Sequence, residues 1–519
     1  MAGSDVERLH QLGYAQELRR GMRTFSNFAV SFTIISILSG CLTLFAFGMR
    51  TGGSAEMTLG WLVVGFFVTL VALGMGEVAS SYPTAGGLYY WSAKLAKTNA
   101  PAWSWFTGWF NLLGQVAVTA GIDFGLAFFI NAFLHIAFAV PTDPPYTIAI
   151  YGVVLFLHGL LNTFGIRLVA LLNDISVWWH VVGVAVIFVA MFFLAPHHTP
   201  LDQVFTTFTN RTNLDPAIAP LPVMFVALIG LLNAQYTLTG YDASAHMSEE
   251  THDAHLSAPR GIVYSVVVSV IFGFILLVAM NYGIDPNKGA DGLTGFDRAY
   301  AQLVPPAQIW IDAVGQNGGL LILLIVIGAQ FYCGMSSVTA NSRMIYAFAR
   351  DGAIPGHDFW HRINPRTRTP TNSIWLAAVG AFLLGLPYLF NPVAYAAVTS
   401  IAVIGLYIAY ITPVYLRLRL GDSFQPGPWN LGRWSRIIGT VATIWVVFIA
   451  VLFLLPQVTP VDNPANFNYA PVAVGVVVLF AGGWWVLSAK NWFKGPKVQG
   501  SDEELAMIER DLEMAETTG

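Results

Sequence analysis

Charge is what this sequence has least of. Only 10% of its 519 residues are Asp, Glu, Lys or Arg, against about a quarter in a soluble chain, so water is not the main solvent of its surface. Cysteine is nearly absent. Cys41 and Cys333 are the two, and both fall inside apolar runs, which excludes a disulfide framework or a thiolate metal site. No GxxxxGK[ST] loop occurs, which argues against ATP-driven chemistry. No HExxH pair or Cys/His cluster lies within the apolar runs, which argues against a metalloenzyme. His197-His198 and His246, His252 and His255 fit no zinc spacing and read as solvated residues at helix ends or in loops. There is no basic stripe interleaved with aromatics, so nucleic acid is not expected as a partner. No small-residue cleavage site follows the first apolar run, so the polar N-terminus, with Arg8, Arg19, Arg20 and Arg23, is expected to be retained.

What the chain does have is hydrophobic sequence, 55% of its residues. Stretches of about 20 apolar residues are long enough to cross a bilayer core as helix. They fall near 26–49, 58–80, 103–137, 146–165, 168–195, 222–245, 261–283, 318–349, 373–390, 393–416, 436–456 and 470–489, which makes twelve spans. Lysine and arginine concentrate in cytoplasmic loops. With the N-terminus inside, all but four of the 25 basic residues fall inside, the exceptions being Arg50, Arg211, Lys288 and Arg298. One helix more or fewer would put Arg350, Arg362, Arg366 and Arg368 on the opposite side from Arg417, Arg419, Arg433 and Arg436. The prediction is an all-α protein of the cell membrane, partnered by the lipid bilayer, with both termini cytoplasmic. It has an N-terminal segment at 1–25, one membrane domain at 26–490 and an acidic tail at 491–519.

Two of the spans are too polar for lipid. The first carries Ser31, Thr33, Ser36, Ser39, Gly40 and Thr43 at mid-depth, and the sixth carries the run from Asn233 to Glu250, with Asp242 within it. Small and hydroxyl residues around Gly40 and Gly240 permit local unwinding, provided the freed backbone faces a cavity. Paired interruptions in corresponding helices of two halves point to a transporter binding site. Spans 1 and 6 correspond if the fold is two inverted five-helix repeats, about 26–195 and 222–416, with two extra helices at about 436–489. The bland alternative is a pair of small-residue packing faces.

Four stretches carry a resemblance: Leu12–Arg19 (LGYAQELR), Gly76–Trp91 (GEVASSYPTAGGLYYW), Thr239–Glu250 (TGYDASAHMSEE) and Ser342–Pro355 (SRMIYAFARDGAIP). Through them the chain, over roughly residues 12 to 490, resembles the amino acid–polyamine–organocation permeases. Within these it is most similar to the amino acid/choline transporter branch that contains γ-aminobutyrate (GABA) permeases. The resemblance implies a leucine-transporter-like fold, alternating access, no organic cofactor, no enzymatic activity and a small amino acid or amine as substrate. Choline or polyamine transport is the alternative on the same fold, with a non-transporting sensor or a membrane enzyme behind it. Many relatives have a glycine-rich break in span 1, whereas here the stretch is Ile37-Leu38-Ser39-Gly40-Cys41.

An amino acid has a carboxylate and an ammonium, and neither can be buried unpaired without a cost of several kcal/mol or more. The expected substrate site is therefore mostly main chain. N–H groups around Ile37, Leu38, Ser39 and Gly40 would face the carboxylate at a half-helix N-terminus. Carbonyls across Tyr236, Thr237 and Thr239, beside Gly240, would accept from the ammonium. Asp242 has two readings, one as a partner for a distant ammonium or an exchanged proton, the other as a helix cap. Tyr236 and Tyr241 offer rings that cover a substrate or simply pack.

Coupling residues come from the same resemblance. Sodium-coupled relatives line a cation site with oxygens between spans 1, 5 and 8, and several sodium-independent relatives place a span-5 lysine there. Aligning Asn173-Asp174 puts His180 at that position, so transport is expected to be sodium-independent, with proton coupling or exchange both open. Ser336, Ser337 and Thr339 would supply oxygens to the same region. Asp123 in span 3 is a second intramembrane acid, read as a helix-to-helix hydrogen bond or a proton carrier. Glu77, Glu249 and Glu250 would pair with Arg343 or Arg350 in a cytoplasmic gate, the plain alternative being interfacial salt bridges.

Overall fold

An apolar run in lipid has no water to bond its peptide groups, so it satisfies them internally and becomes helix. The computed structural model describes residues 5–164, 166–213, 217–286, 304–391, 393–464 and 466–518. Among these residues the regular elements are helices, with four isolated β-bridges. Eleven helices are long and apolar enough to cross a membrane, and the sixth expected span is the shorter apolar stretch Val223–Thr237. Lys288 and Arg298, used above for the orientation, lie outside the described residues.

In chain order, span 1 is Thr24–Thr43, span 2 Gly53–Ser81, span 3 Ala100–Phe138, span 4 Pro144–Phe164 and span 5 Ile166–Val189. Span 6 starts at Val223, span 7 is Ala254–Tyr282, span 8 Pro305–Arg350 with a bend at Gly315, and span 9 Thr371–Leu389. Span 10 is Val393–Leu420, span 11 Gly432–Leu452 and span 12 Ala470–Trp492.

Apolar burial does not drive helix association inside lipid, so close packing of small residues takes its place. Gly405 of span 10 lies so near span 3 that a Cβ on it would sit 3.0 Å from the Gly114 backbone. Spans 1, 3 and 10 are the most enclosed, while span 12 is the most open to lipid. Trp178, Ile444, Leu479 and Leu487 are among the large apolar side chains left on the outside. Cys41 and Cys333 are buried free thiols.

Both chain ends meet at one end of the bundle, as an even number of crossings requires. Gln499 N donates to Gly13 O at 2.9 Å, and His10 Nε2 lies 2.8 Å from Glu509 Oε1. Glu509 belongs to the tail helix Asp502–Thr518.

Candidate functional site

Span 1 breaks at Ser36, whose backbone is left-handed (φ 34°, ψ 82°) between the helices Thr24–Ile35 and Ile37–Thr43. The sequence placed this break around Gly40, four residues further on. Gly40 instead lies inside the second helix and permits close approach, since a Cβ there would sit 2.8 Å from Thr237 Cα of span 6. The carbonyl of Ser36 accepts from Ser39 N at 2.7 Å and Gly40 N at 3.1 Å. Of the four N–H groups that a helix start leaves without intrahelical partners, those of Ile37 and Leu38 therefore remain for an anion.

Span 6 breaks between the helices Leu232–Thr237 and Ala243–His246. Gly240 there has φ 88°, which glycine alone adopts without strain, and a Cβ on it would strike Ile34 of span 1. The two breaks thus face each other. Some carbonyls expected for the ammonium already have a partner: Thr239 Oγ1 donates to Tyr236 O at 2.7 Å, and Tyr407 Oη to Leu238 O at 2.9 Å. Each carbonyl retains a second lone pair.

Between the breaks lies a small cavity of about 10 Å³, room for roughly one water and far below the roughly 300–1,000 Å³ of ligand pockets. Ser39, Gly40, Tyr236, Thr237 and Thr239 line it, with Ile122 of span 3 and Cys333 of span 8. Ile37, Leu38, Gly240, Tyr241 and Asp242 do not reach its wall. Tyr236 Oη is buried with no hydrogen-bond partner among the described residues.

Asp242 is buried and fully engaged. Tyr410 Oη donates to Oδ1 at 2.6 Å, Gln115 Nε2 donates to Oδ2 at 2.7 Å, and His246 Nε2 lies 3.2 Å from Oδ2. Of the two readings of Asp242, the helix cap is absent, because its carboxylate makes no bond to a backbone N–H of the helix it precedes. Its carboxylate joins spans 3, 6 and 10. His246 also corrects the sequence reading: it is buried, not solvated, with Nδ1 2.8 Å from Ala85 O and Nε2 3.3 Å from Asn111 Nδ2. Its place one helical turn after Asp242 was the signal available. Gln115 and Tyr410, on plain apolar helices, gave none.

His180 reaches the span 1 break, where its Nε2 lies 2.8 Å from Ser36 Oγ and its Nδ1 2.8 Å from Ser176 O. A carbonyl accepts only, so Nδ1 carries a proton, and in the neutral ring Nε2 accepts from Ser36. Span 8 donors reach the same break, Gln330 Nε2 to Leu38 O at 3.3 Å and Cys333 Sγ to Ile34 O at 3.1 Å. Ser336 and Ser337 do not join His180. Ser336 Oγ donates to Asn173 Oδ1 of span 5, Ser337 Oγ lies 2.9 Å from Thr119 Oγ1 of span 3, and Thr339 Oγ1 donates to Asn162 Oδ1 of span 4. Asp123 pairs with the buried His158 of span 4 at 3.2 Å, at a place where Gly334 of span 8 leaves no room for a side chain. The sequence reading passed over His158.

At the end holding both termini, Arg343 pairs with Glu250 at 2.7 Å and Arg350 with Glu249 at 3.0 Å, the pairing expected from the sequence. Glu77 does not take part. It lies 3.1 Å from Arg417 Nε and accepts from Ser435 Oγ, because the end of span 2 packs against spans 10 and 11. The N-terminal segment overlies these ion pairs. The Tyr14 ring lies 3.8 Å under the Arg350 guanidinium, and Asp351 accepts from Tyr14 Oη at 3.1 Å, Tyr89 Oη at 2.7 Å and Lys497 N at 3.1 Å. Burial pushes the Asp351 carboxyl above its ordinary value, against the lowering effect of Arg350.

Two facing helix breaks around a small central cavity, with buried ion pairs at one end of the bundle, are the construction of a polytopic membrane transporter. Residues 23–479 match the amino acid permease family, and the chain belongs to that family. It is 42% identical to the amino-acid permease BAT1 of Arabidopsis thaliana, over 94% of this chain and 95% of that one. It is also 30% identical to the GABA-specific permease of Saccharomyces cerevisiae, over 96% and 87%, and 28% identical to a putative polyamine transporter of Candida albicans, over 98% and 91%. These relatives are transporters, not enzymes.

Proposed function

We propose that this chain carries amino acids or related amines such as GABA across the cytoplasmic membrane by alternating access, with both termini cytoplasmic. The observation that carries the reading is the cavity enclosed by Ser39 and Gly40 of one break and Tyr236, Thr237 and Thr239 of the other. The substrate carboxylate would lie toward the Ile37 and Leu38 N–H groups, and the ammonium toward free lone pairs of the span 6 carbonyls. The names of the Arabidopsis and yeast relatives support an amino-acid substrate. A choline or polyamine substrate brings no carboxylate of its own and needs an anion from the protein, and Asp242 is already held by Gln115, Tyr410 and His246.

Transport runs without sodium in this reading. At spans 1, 5 and 8 the imidazole of His180 is bonded to Ser36 at the break, so a basic ring stands where a sodium site would need neutral oxygens. Protons or a counter-substrate then supply the driving force. The Arg343–Glu250 and Arg350–Glu249 pairs close the cytoplasmic side. Purified protein in vesicles, offered labelled α-amino acids, GABA, choline and spermidine under imposed sodium or proton gradients, tests the proposal. Uptake of an amino acid or GABA without sodium is expected, and strict sodium dependence, or no uptake of any of the panel, overturns it.

A further inference from the structure

The contacts of His246 restrict where its protons can be. Nδ1 lies 2.8 Å from the carbonyl of Ala85, an acceptor only, so Nδ1 is protonated. Nε2 lies 3.2 Å from Asp242 Oδ2. A bare Nε2 facing a bare carboxylate oxygen at that distance sets two lone pairs against each other. Asn111 Nδ2, 3.3 Å away, can donate to a bare Nε2 but leaves its repulsion with the carboxylate in place. The Asp242 contact itself is therefore attractive in two arrangements, an imidazolium donating to a carboxylate or a carboxylic acid donating to a neutral imidazole. Both place one proton between the two side chains. Asp242 Oδ1 is held by Tyr410 Oη and Oδ2 also by Gln115 Nε2, so the carboxyl cannot turn away from the ring.

We propose that Asp242 and His246 together bind one exchangeable proton, and that its loss releases the Ala85 loop from span 6. The proton leaves to water when the gate end opens, and the pair is left as a carboxylate and a neutral imidazole. The one remaining N–H of the ring moves to Nε2 to donate to the carboxylate, so that the bare Nδ1 and Ala85 O no longer attract. The loop is the link to the gate, because Ala85 O accepts from His246 while Ala85 N donates to Glu249 Oε1 at 3.0 Å, and Glu249 is the partner of Arg350. The proton on the pair therefore bears on the same residue, Ala85, that Glu249 holds by its N–H. This inference rests on the transporter reading for its consequence and on the hydrogen-bond geometry for the site itself.

Surrounding groups supply no competing charge. Span 3 offers the amides of Gln115 and Asn111, and span 1 offers Asn27 and Ser31, both bonded to the stretch 241–251. Span 10 brings Tyr407 and Tyr410, and the break itself Tyr241, phenols uncharged near neutral pH. Span 7 meets Ser244 with Gly261, and the charge from span 8 is Arg343, engaged by Glu250.

Two measurements on the full chain test this. In vesicles with an internal pH dye, protons moved per labelled substrate molecule should be about one for the parent and at least tenfold lower in His246→Gln, whatever the total flux. A purely structural role would lower proton and substrate movement in proportion. In detergent, protein labelled with 15N-histidine should show an imidazole signal at neutral pH bearing this proton, lost in His246→Gln and altered in Asp242→Asn. Substrate uptake without proton movement in the parent overturns the inference and leaves the transporter standing. Absence of any uptake, with the shared-proton signal present, overturns the transporter reading and leaves the site. An unchanged proton ratio in His246→Gln overturns the inference outright.

Discussion

Ser36 and His180 are joined at 2.8 Å where span 1 leaves the helix, so the strained left-handed residue and the imidazole of span 5 hold each other in place. A non-glycine residue in that backbone region costs of order 1–3 kcal/mol, and here it is held by a side chain from another span. His180→Ala would leave Ser36 Oγ without its imidazole partner, at about 1–3 kcal/mol. Uptake is expected to fall at least tenfold, and neither the parent nor this variant should respond to sodium. If sodium stimulates uptake by the parent, His180 does not occupy a cation site.

Asp242→Asn discriminates between a substrate contact and a helix tie. An asparagine keeps one oxygen but turns the other into a donor, which opposes the Gln115 amide now 2.7 Å from Oδ2. Losing one such buried bond costs about 1–3 kcal/mol. Because the carboxyl does not line the cavity, α-amino acids and GABA should lose affinity by similar factors. Selective loss of GABA, measured as competition against one labelled substrate, would show that the carboxylate reaches the ammonium after all.

Much of this arrangement was legible in the chain because lipid is a strict solvent. Twelve spans, the odd polarity of spans 1 and 6, and the pairing of Glu249 and Glu250 with span 8 all follow from residues that hydrocarbon would not tolerate unpaired. The exact break in span 1 was not legible. Gly40 looked like the flexible point, yet its role is nearness to Thr237, while the left-handed residue is a serine held by a partner 144 positions away. Glu77 was misassigned for a similar reason: whether a carboxylate at a helix end meets Arg343 or Arg417 depends on which helices are neighbours. His246 read as solvated because the sequence places it at a helix end or in a loop, and the loop bearing Ala85 together with Asn111 of span 3 encloses it.

Gly40→Ala tests the closeness of the two breaks. The added methyl would meet Thr237 Cα and Cβ at 2.8 Å, and overpacking of this kind costs about 1–3 kcal/mol. It also intrudes on the cavity wall. Uptake should drop at least tenfold while the protein stays folded in detergent. Gly475→Ala in span 12, where a Cβ meets nothing within 4 Å, should transport as the parent does. Equal activity of the two variants would mean that spans 1 and 6 are not packed at Gly40 in the working cycle.

The gate makes a prediction that the chain can report on by itself, because Cys333 lines the cavity and is one of two free thiols. Glu250→Gln leaves Arg343 buried without its counter-charge, and removing one member of a buried ion pair costs about 3–5 kcal/mol. That cost falls on the closed state, since opening lets water reach the guanidinium. In a Cys41→Ser background, a water-soluble maleimide should therefore modify Cys333 at least tenfold faster in Glu250→Gln than in the parent. Glu77→Gln, whose partners are Arg417 and Ser435, should leave the rate unchanged. Truncation after Phe493 removes Lys497 N from Asp351 and Gln499 from Gly13, Ala15 and Glu17, so it should raise the rate by a smaller factor. If Glu250→Gln and Glu77→Gln accelerate modification equally, the change is general loosening of the bundle. If neither variant nor the truncation changes the rate, the Arg343–Glu250 pair and the tails lie outside the path by which the cavity opens.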